Sequence, residues 1–215
     1  ISHDLLKEIT TPHIASPDVH VDPDSRRIVM YFHGLEGVGR QVSRVATSAN
    51  GIDFVAQPEV LGRTYMRIFR HGGTTYSLAM PGRLYRSRDG LGDFEEGPLL
   101  FGPDMRHSAL LLRDDMLWVF WTKVGEAPER VLQSRIDLGG DWREWKDTKP
   151  VEVLRPERDW EGADAPRVPS VRSTAYGHVN QIRDPAIFEE DGHIYLLYAV
   201  AGESGIAIAE IFLKE

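Results

Sequence analysis

RDPAIFEEDGHIYLLYAV, residues 183–200, is the stretch of this sequence that decides the fold. It consists of an apolar run, an Asp191-Gly192 turn and a second apolar run. An Asp-Gly pair flanked by apolar residues is a strong local signal for a β-hairpin, because the tight turn requires residues that accept positive φ. Another apolar run follows at residues 206–211, so this segment predicts consecutive antiparallel strands.

The same strand-turn-strand layout returns elsewhere in the chain. Its other copies are MRHSALLLRDDMLWVFW (105–121), YMRIFRHGGTTYSLAM (65–80) and SPDVHVDPDSRRIVMYF (16–32). In two copies the spacing agrees, since 11 positions separate His107 from Trp118 and Asp184 from Tyr195. Repeats of about 40–50 residues, each built from short strands, predict an all-β β-propeller.

The repeat also predicts where function lies. A propeller gathers the beginnings of its innermost strands around one central channel. Asp18, Arg67, His107 and Asp184 stand near the beginnings of the four copies. We therefore expect these side chains to converge at the mouth of the channel.

The repeats divide the chain into four blades and one insertion, within a single domain that spans residues 1–215. The predicted blades are 13–60, 61–104, 105–154 and 183–215. Residues 155–182 are irregular, and a connection of that length in a compact domain is usually functional or disordered. We interpret it as a loop that covers one face of the channel, where Trp160 and Glu161 contact the substrate. Residues 1–11 predict an outer strand or a short helical turn.

Composition and charge restrict the functional classes. Of the 215 residues, 41% are hydrophobic and 27% are charged, which is typical of a globular domain. The net charge of −8 argues against nucleic acid as a partner, because phosphate binding requires a basic surface. No apolar stretch reaches the roughly 18 residues of a membrane span, so no membrane partner is predicted. The chain has no cysteine, which excludes disulfides and thiolate metal sites and leaves cytoplasm and periplasm both open.

The residues of two repeats resemble the five-bladed propeller glycosidases, notably glycoside hydrolase family 43. The resemblance lies in Arg183-Asp184-Pro185 with Asp191-Gly192 and Tyr195-Leu196-Leu197-Tyr198, and in Ser16-Pro17-Asp18 with Met30-Tyr31-Phe32. It extends from His13 to Glu210. It implies a propeller glycosidase, so the leading expectation is a glycoside hydrolase that acts on an oligo- or polysaccharide.

The resemblance also implies roles for particular residues. In such enzymes the first blade supplies a carboxylate base, the second an aspartate that orients or tunes, and the third a glutamic acid that protonates the leaving group. Asp18 matches the aspartate of the second blade, and no repeat precedes it to supply the base. Tyr65-Met66-Arg67 occupies the position of the acid. The chain is thus expected to be a five-bladed propeller without its first blade, or else a closed ring of four blades.

Four residues form the predicted catalytic group. Asp18 and His20 share one strand face, because residues i and i+2 point the same way, and a carboxylate beside an imidazole is an acid–base arrangement. His107 and Asp184 each share a face with an alanine two positions further on, which suits an open channel mouth.

The predicted substrate-binding residues are Tyr65, Arg67, Arg106, Trp160 and Glu161. The two arginines have alternative roles. They are candidates to pair with Asp18 and Asp184, or to bind the carboxylate or sulfate of an anionic sugar, since a guanidinium fork binds such anions bidentately.

No cofactor is predicted, because the sequence contains neither compact metal-ligand spacing nor a glycine-rich phosphate loop. The resemblance leaves open a structural cation in the channel, for which His107 would be the ligand. The expected partner is a carbohydrate. The functional alternatives are a lyase that acts on an acidic sugar, a non-catalytic carbohydrate-binding propeller and a protein-interaction scaffold.

Overall fold

The computed structural model of this chain describes residues 10–23 and 25–213. Within them the predicted all-β architecture is confirmed, with fifteen strands and two short 3-10 helices. The chain divides into two compact units, Ile1–Leu100 and Phe101–Glu215. Most of the segment for which an outer strand or helical turn is predicted, residues 1–9, lies outside the described residues. Among the described residues, no helix is long and apolar enough to cross a membrane.

The first unit contains two antiparallel sheets whose strands follow chain order. One sheet consists of β1 (Ile14–Asp22), β2 (Arg27–Gly37), β3 (Arg40–Ser48) and β4 (Val55–Ala56). The other consists of β5 (Arg67–His71), β6 (Thr74–Ala79), β7 (Arg83–Ser87) and β8 (Glu95–Leu99). Buried apolar residues of both sheets, among them Tyr31, Val45 and Ile68, pack into one core.

The second unit contains one sheet of four strands and one of three. The larger sheet consists of β9 (Met105–Arg113), β10 (Met116–Lys123), β11 (Val131–Asp137) and β12 (Val151–Leu154). The smaller sheet consists of β13 (Arg183–Glu190), β14 (His193–Val200) and β15 (Gly205–Glu210). The 3-10 helices are Trp142–Glu144 and Asp159–Glu161. The core of this unit packs Leu111 and Phe120 with Leu196 and Tyr198.

Turn chemistry explains two of the hairpins. Asp191 and Gly192 have φ values of 51° and 81°, and Gly72 and Gly73 have φ values of 54° and 74°. Two consecutive residues of positive φ make the turn whose twist matches that of the flanking strands. In the terminal hairpin Glu190 pairs with His193 directly across this turn.

A β-bulge near its beginning alters the register of β1 and of β13. The extra residue comes just before Asp18 in β1 and just before Ala186 in β13. Within the bulges Ser16 and Asp184 have φ values of 51° and 50°. Left-handed φ at a non-glycine residue costs of order 1–3 kcal/mol, which the surrounding sheet must offset. Because Ser16 shares the conformation, the bulge is a feature of the blade and not by itself a sign of function.

The pairing across the hairpins corrects the prediction of which residues occupy equivalent positions at the beginnings of the four blades. Equivalent positions in the four blades are found by counting back from the turn that follows the first strand of each blade. The residues that lie six positions before the last paired residue of that strand are Ser16, Tyr65, His107 and Asp184. The predicted set contained Asp18 and Arg67 instead, each of which lies two positions further along its strand. Their charge, and not their distance from the turn, makes these two residues conspicuous in the sequence.

Candidate functional site

A buried histidine and a half-exposed aspartate meet in the second unit. His107 lies on β9 and is 5% exposed, whereas the side chain of Asp184, in the bulge of β13, is 41% exposed. His107 Nδ1 contacts Asp184 Oδ1 directly. Two of the predicted catalytic residues, from two different sheets, therefore form one dyad.

Burial and neighbouring charges shift the pKa values of both members of this dyad. Burial lowers the pKa of His107 below its ordinary value, although the Asp184 carboxylate acts in the opposite direction. Burial by itself raises the pKa of Asp184, but His107, Arg106 and Arg183 outweigh it, so that the pKa of this carboxyl is lowered. Both shifts favour a neutral imidazole beside an ionised carboxylate at neutral pH.

A buried ion cluster adjoins the dyad. Arg106, Glu129 and Arg183 are 5%, 0% and 1% exposed. Arg106 Nη1 donates to Glu129 Oε2 at 3.5 Å, and Arg183 Nη2 donates to the same oxygen at 3.2 Å. Buried charges require partners of opposite sign, and here one carboxylate oxygen serves two guanidinium groups. Arg106 therefore forms its ion pair with Glu129. An ion pair with Asp184 is one of the two roles that the sequence predicts for this arginine.

The same arginines hold the long loop and a second carboxylate. Arg106 Nη1 donates to the carbonyl of Val171 at 3.2 Å, and Arg183 Nη1 donates to the carbonyl of Ser173 at 3.1 Å. Arg183 Nη1 also contacts Glu203 Oε1 at 3.0 Å. The loop is therefore fastened to the beginnings of β9 and β13 through its backbone.

Within the loop, Trp160 and Glu161 have different environments. Glu161 is 3% exposed, and its carboxylate accepts hydrogen bonds from the Tyr198 hydroxyl at 2.8 Å and from the backbone N–H groups of Glu157 and Arg158 at 2.8 and 2.9 Å. Trp160 is 57% exposed. The Glu161 side chain is thus committed to the fold of the loop, whereas Trp160 is accessible to a ligand. Substrate contact by either residue stays a prediction.

Asp184 borders a cavity of about 440 Å³ in the second unit. This volume lies within the range of roughly 300–1,000 Å³ that is typical of small-molecule sites. Among the described residues that line it, the charged ones are Asp184 and Glu203. The other lining residues are small, apolar or uncharged: Ala186, Leu197, Tyr198, Ala199, Ser204, Gly205 and Ile206.

The first unit contains a second Asp–His pair. His20 Nε2 lies 2.9 Å from Asp18 Oδ2, and their side chains are 41% and 19% exposed. The same carboxylate oxygen accepts a hydrogen bond of 2.7 Å from the backbone N–H of Ile68 on β5. Asp18 therefore connects the two sheets of its unit in addition to contacting His20.

Arg67 is the first residue of β5, and Tyr65 precedes it by two positions. Arg67 Nη1 donates to the carbonyls of Ser16 and Met66 at 3.1 and 3.3 Å. The Tyr65 ring lies 4.4 Å from the ring of His33, measured between centroids. These contacts link β5 to the neighbouring sheet, and substrate binding by either residue stays a prediction.

The structure brings the predicted site residues together in two groups. Arg106, His107 and Asp184 form one group in the second unit, and Asp18 and His20 form the other in the first unit. The convergence of both groups on one channel stays a prediction.

Sequence reasoning missed Glu129, Arg183 and Glu203. Glu129 lies between β10 and β11, outside every repeat position that the sequence pattern marks. Arg183 directly precedes Asp184, which is the one local signal that could have identified it.

A structural cation at His107, which the resemblance leaves open, stays a prediction. Among the described residues, no group of three or more His, Cys, Asp or Glu side chains could hold a metal ion. The positive charge of Arg106 already lowers the pKa of His107. The Asp184 and Glu129 carboxylates raise it, so charges of both signs face this imidazole.

The sequence matches no known protein-family profile. It is similar to an uncharacterized protein of Acanthamoeba polyphaga mimivirus, with 37% identity over 221 residues. The match covers 94% of this chain and 62% of the viral protein. The chain thus spans less than two thirds of the length of this relative.

Several solved structures share the fold. A thermostable family-43 glycoside hydrolase has a TM-score of 0.63 and 16% identity, over 89% of this chain and 65% of that structure. A structure from the GH130 family of mannoside phosphorylases, which contains glycoside hydrolases that target β-1,2 mannosidic linkages, has a TM-score of 0.67 and 14% identity, over 97% and 68%. An α-L-arabinanase of Cellvibrio cellulosa complexed with arabinohexaose has a TM-score of 0.61 and 11% identity, over 94% and 75%.

At these identities the similarity shows the fold alone. The predicted all-β propeller is confirmed, with four blades among the described residues, and the fold is one that glycoside hydrolases share. The resemblance to propeller glycosidases is thereby confirmed at the level of the fold.

Proposed function

We propose that this protein is a glycoside hydrolase that acts on an oligo- or polysaccharide in the cavity beside Asp184. One observation carries the proposal: two carboxylate side chains, Asp184 and Glu203, line a single cavity on a fold that glycoside hydrolases share. Most enzymes that hydrolyse glycosidic bonds use a pair of carboxyl groups that flank the bond.

Asp184 supplies the ionised member of this pair. Its pKa is lowered by His107, Arg106 and Arg183, which outweigh the effect of burial. An ionised carboxylate serves as the base or the nucleophile in glycoside hydrolysis. His107 contacts this carboxylate and fixes its orientation, in the way that a buried partner orients the reacting member of a catalytic pair. Glu203, the other carboxyl group on the cavity, takes the role of the acid that protonates the leaving oxygen.

An uncharged sugar suits the cavity better than an anionic one. The two arginines that suggested an acidic substrate are absent from the lining of this cavity: Arg106 pairs with Glu129, and Arg67 donates to the carbonyls of Ser16 and Met66. The charged side chains that line the cavity are both acidic, so an acidic sugar would be repelled. Carboxylates accept hydrogen bonds from sugar hydroxyls, and apolar residues such as Leu197 and Ile206 suit the C–H faces of a sugar ring.

The finer fold assignment belongs to the same proposal. A five-bladed propeller related to glycoside hydrolase family 43 is supported by the sequence motifs at residues 183–198 and by the shared fold. The number of blades beyond the four described stays a prediction.

The experiment compares the wild type with Asp184→Asn, Glu203→Gln and a control, Glu190→Gln, which changes an exposed carboxylate on the same strand as Asp184. Turnover and binding are measured on a panel of neutral, acidic and amino oligosaccharides, together with the melting temperature. We expect the wild type to hydrolyse a neutral glycan and the two cavity variants to lose about 100-fold or more in kcat while each still unfolds in a cooperative transition.

The other outcomes discriminate between the alternatives. Binding of a glycan without turnover in the wild type would replace the enzyme with a carbohydrate-binding propeller. Neither binding nor turnover on any glycan would leave an interaction scaffold as the better hypothesis. Turnover that survives both cavity substitutions would place the chemistry elsewhere in the protein.

A further inference from the structure

A single buried carboxylate links the two strands that present the dyad. Arg106 directly precedes His107 on β9, and Arg183 directly precedes Asp184 on β13. Both guanidinium groups donate to Glu129 Oε2, at 3.5 and 3.2 Å. Each member of the dyad is therefore the chain neighbour of an arginine that is fastened to the same oxygen atom.

The backbone of Glu129 strengthens this link. Its carbonyl accepts a hydrogen bond of 3.1 Å from the N–H of Ile182, and Glu129 forms an isolated parallel bridge with Gln181. Both partners come directly before β13. Glu129 thus holds the beginning of this strand through its main chain and through its side chain, and it is itself 0% exposed.

We infer that Glu129 is a positioning residue that keeps His107 and Asp184 in contact by anchoring Arg106 and Arg183. The geometric reason is that neither strand can shift at its beginning without breaking an ion pair that is fully removed from water. Catalytic groups must be held to within a fraction of an ångström, so such an anchor determines whether the dyad is productive. The effect on turnover rests on the proposed function, whereas the effect on the dyad does not.

The charge of Glu129 also acts on the dyad. The groups that face His107 are Asp184, Arg106 and Glu129, and those that face Asp184 are His107, Arg106 and Arg183. Glu129 raises the pKa of His107, whereas Arg106 lowers it. Without this carboxylate, the Arg106 guanidinium group would disfavour the imidazolium form of His107 further.

The test uses Glu129→Gln in the full chain, because glutamine keeps the size of the side chain and removes its charge. The matched control is Glu126→Gln, the same change three positions away, where the carboxylate pairs with Arg130 and is partly exposed. Nuclear magnetic resonance reports the His107 imidazole in each protein: the downfield proton on Nδ1 that the contact with Asp184 produces, and the pKa of the ring.

We expect the wild type and Glu126→Gln to show the downfield proton and the same pKa for His107. Glu129→Gln should lose that proton and show a lower pKa for His107. On the glycan that the wild type hydrolyses, kcat should fall by about 10- to 100-fold while KM changes by less than about threefold, which is the pattern of a misplaced catalytic group.

The contrary results are equally definite. A downfield proton and a His107 pKa that survive Glu129→Gln would overturn the inference, as would their absence from the wild type. If Glu129→Gln does not fold, the double variant Arg106→Gln with Glu129→Gln, which removes one charge of each sign, replaces it. Retention of the His107–Asp184 proton in that variant would also overturn the inference. A protein that hydrolyses no glycan would refute the proposed function and leave the resonance experiment unaffected.

Discussion

The two units each contain an Asp–His pair, and the two pairs are exposed in opposite ways. In the first unit the carboxylate is the more buried partner, with Asp18 at 19% and His20 at 41% side-chain exposure. In the second unit the imidazole is the buried partner, with His107 at 6% and Asp184 at 41%. The same two residue types thus present a histidine to solvent in one unit and an aspartate in the other.

This difference follows from how each pair is made. Asp18 and His20 are two positions apart on one strand, so local alternation brings them together. Their carboxylate is then used by the backbone N–H of Ile68. His107 and Asp184 come from different sheets, and their carboxylate borders a cavity. The cavity beside Asp184, and not the contact between an acid and a base, distinguishes the second pair from the first.

The largest expected effect is a difference in kcat between substitutions of the two aspartates, Asp184 and Asp18. We expect Asp184→Asn to lower kcat by about 100-fold or more, because it removes the ionised carboxylate from the cavity. Asp18→Asn should retain kcat within about threefold, since an amide oxygen still accepts the hydrogen bond from Ile68. Steady-state kinetics on the glycan that the wild type hydrolyses provide the measurement. Equal losses in both variants would show that the first unit takes part in the chemistry.

The next largest effect concerns the free energy of unfolding, where substitution of Asp18 should cost more than substitution of Asp184. Asp18→Ala leaves the N–H of Ile68, a residue that is 8% exposed, without its side-chain acceptor. An unsatisfied buried donor costs about 1–3 kcal/mol in the free energy of unfolding. Asp184→Asn should cost less, because its amide oxygen can still accept a hydrogen bond from His107 and its side chain is half-exposed. Denaturant unfolding of both variants tests this order, and a larger loss for Asp184→Asn would contradict it.

The fold could be predicted from the sequence because its signals are local. Asp191-Gly192 and Gly72-Gly73 supply positive φ at the turns, and alternation supplies the strands on either side. Asp18 and Arg67 each lie two positions beyond the residue that corresponds to His107 and Asp184 in the other blades. Side-chain chemistry does not reveal this offset. Only the pairing across each hairpin fixes which residues of different repeats correspond.

Parts of the candidate site could be predicted for the same reason, and others could not. The contact of Asp18 with His20 follows from strand alternation. The burial of Glu129 between two arginines joins a connection in one sheet to the beginning of a strand in another, 54 positions further along the chain. No local pattern encodes such a contact, and a single glutamate between two strands reads as an ordinary surface residue.

A smaller effect concerns pH and distinguishes the two histidines. Since burial lowers the pKa of His107 in the folded state, the unfolded chain takes up this proton first as pH falls. The free energy of unfolding should therefore decrease below about pH 6.5, the ordinary pKa of histidine. Asp184, whose folded pKa is lowered, adds a loss in the same direction below about pH 4.

Substitution of His107 tests this pH dependence. His107→Gln should flatten the decrease of the unfolding free energy between pH 7 and pH 5, because the group that titrates in the unfolded chain is gone. His193→Gln, which changes an exposed histidine in the same unit, is the control and should retain the slope of the wild type. Unfolding curves at a series of pH values provide the measurement, and equal slopes in the wild type and His107→Gln would contradict the expectation.

The smallest expected effect is that of His20, the exposed partner in the first unit. Its imidazole contacts Asp18 at 2.9 Å, but the side chain is 41% exposed, and exposed ion pairs contribute only about 0–1 kcal/mol to the free energy of unfolding. We expect His20→Gln to unfold within about 1 kcal/mol of the wild type and to be insensitive to salt, because water replaces the lost contact. Asp18 keeps its hydrogen bond from Ile68 in this variant, so the connection between the two sheets persists. A loss as large as that of Asp18→Ala would instead mean that His20 holds the carboxylate in place. The first pair would then depend on its histidine, as we expect for the second.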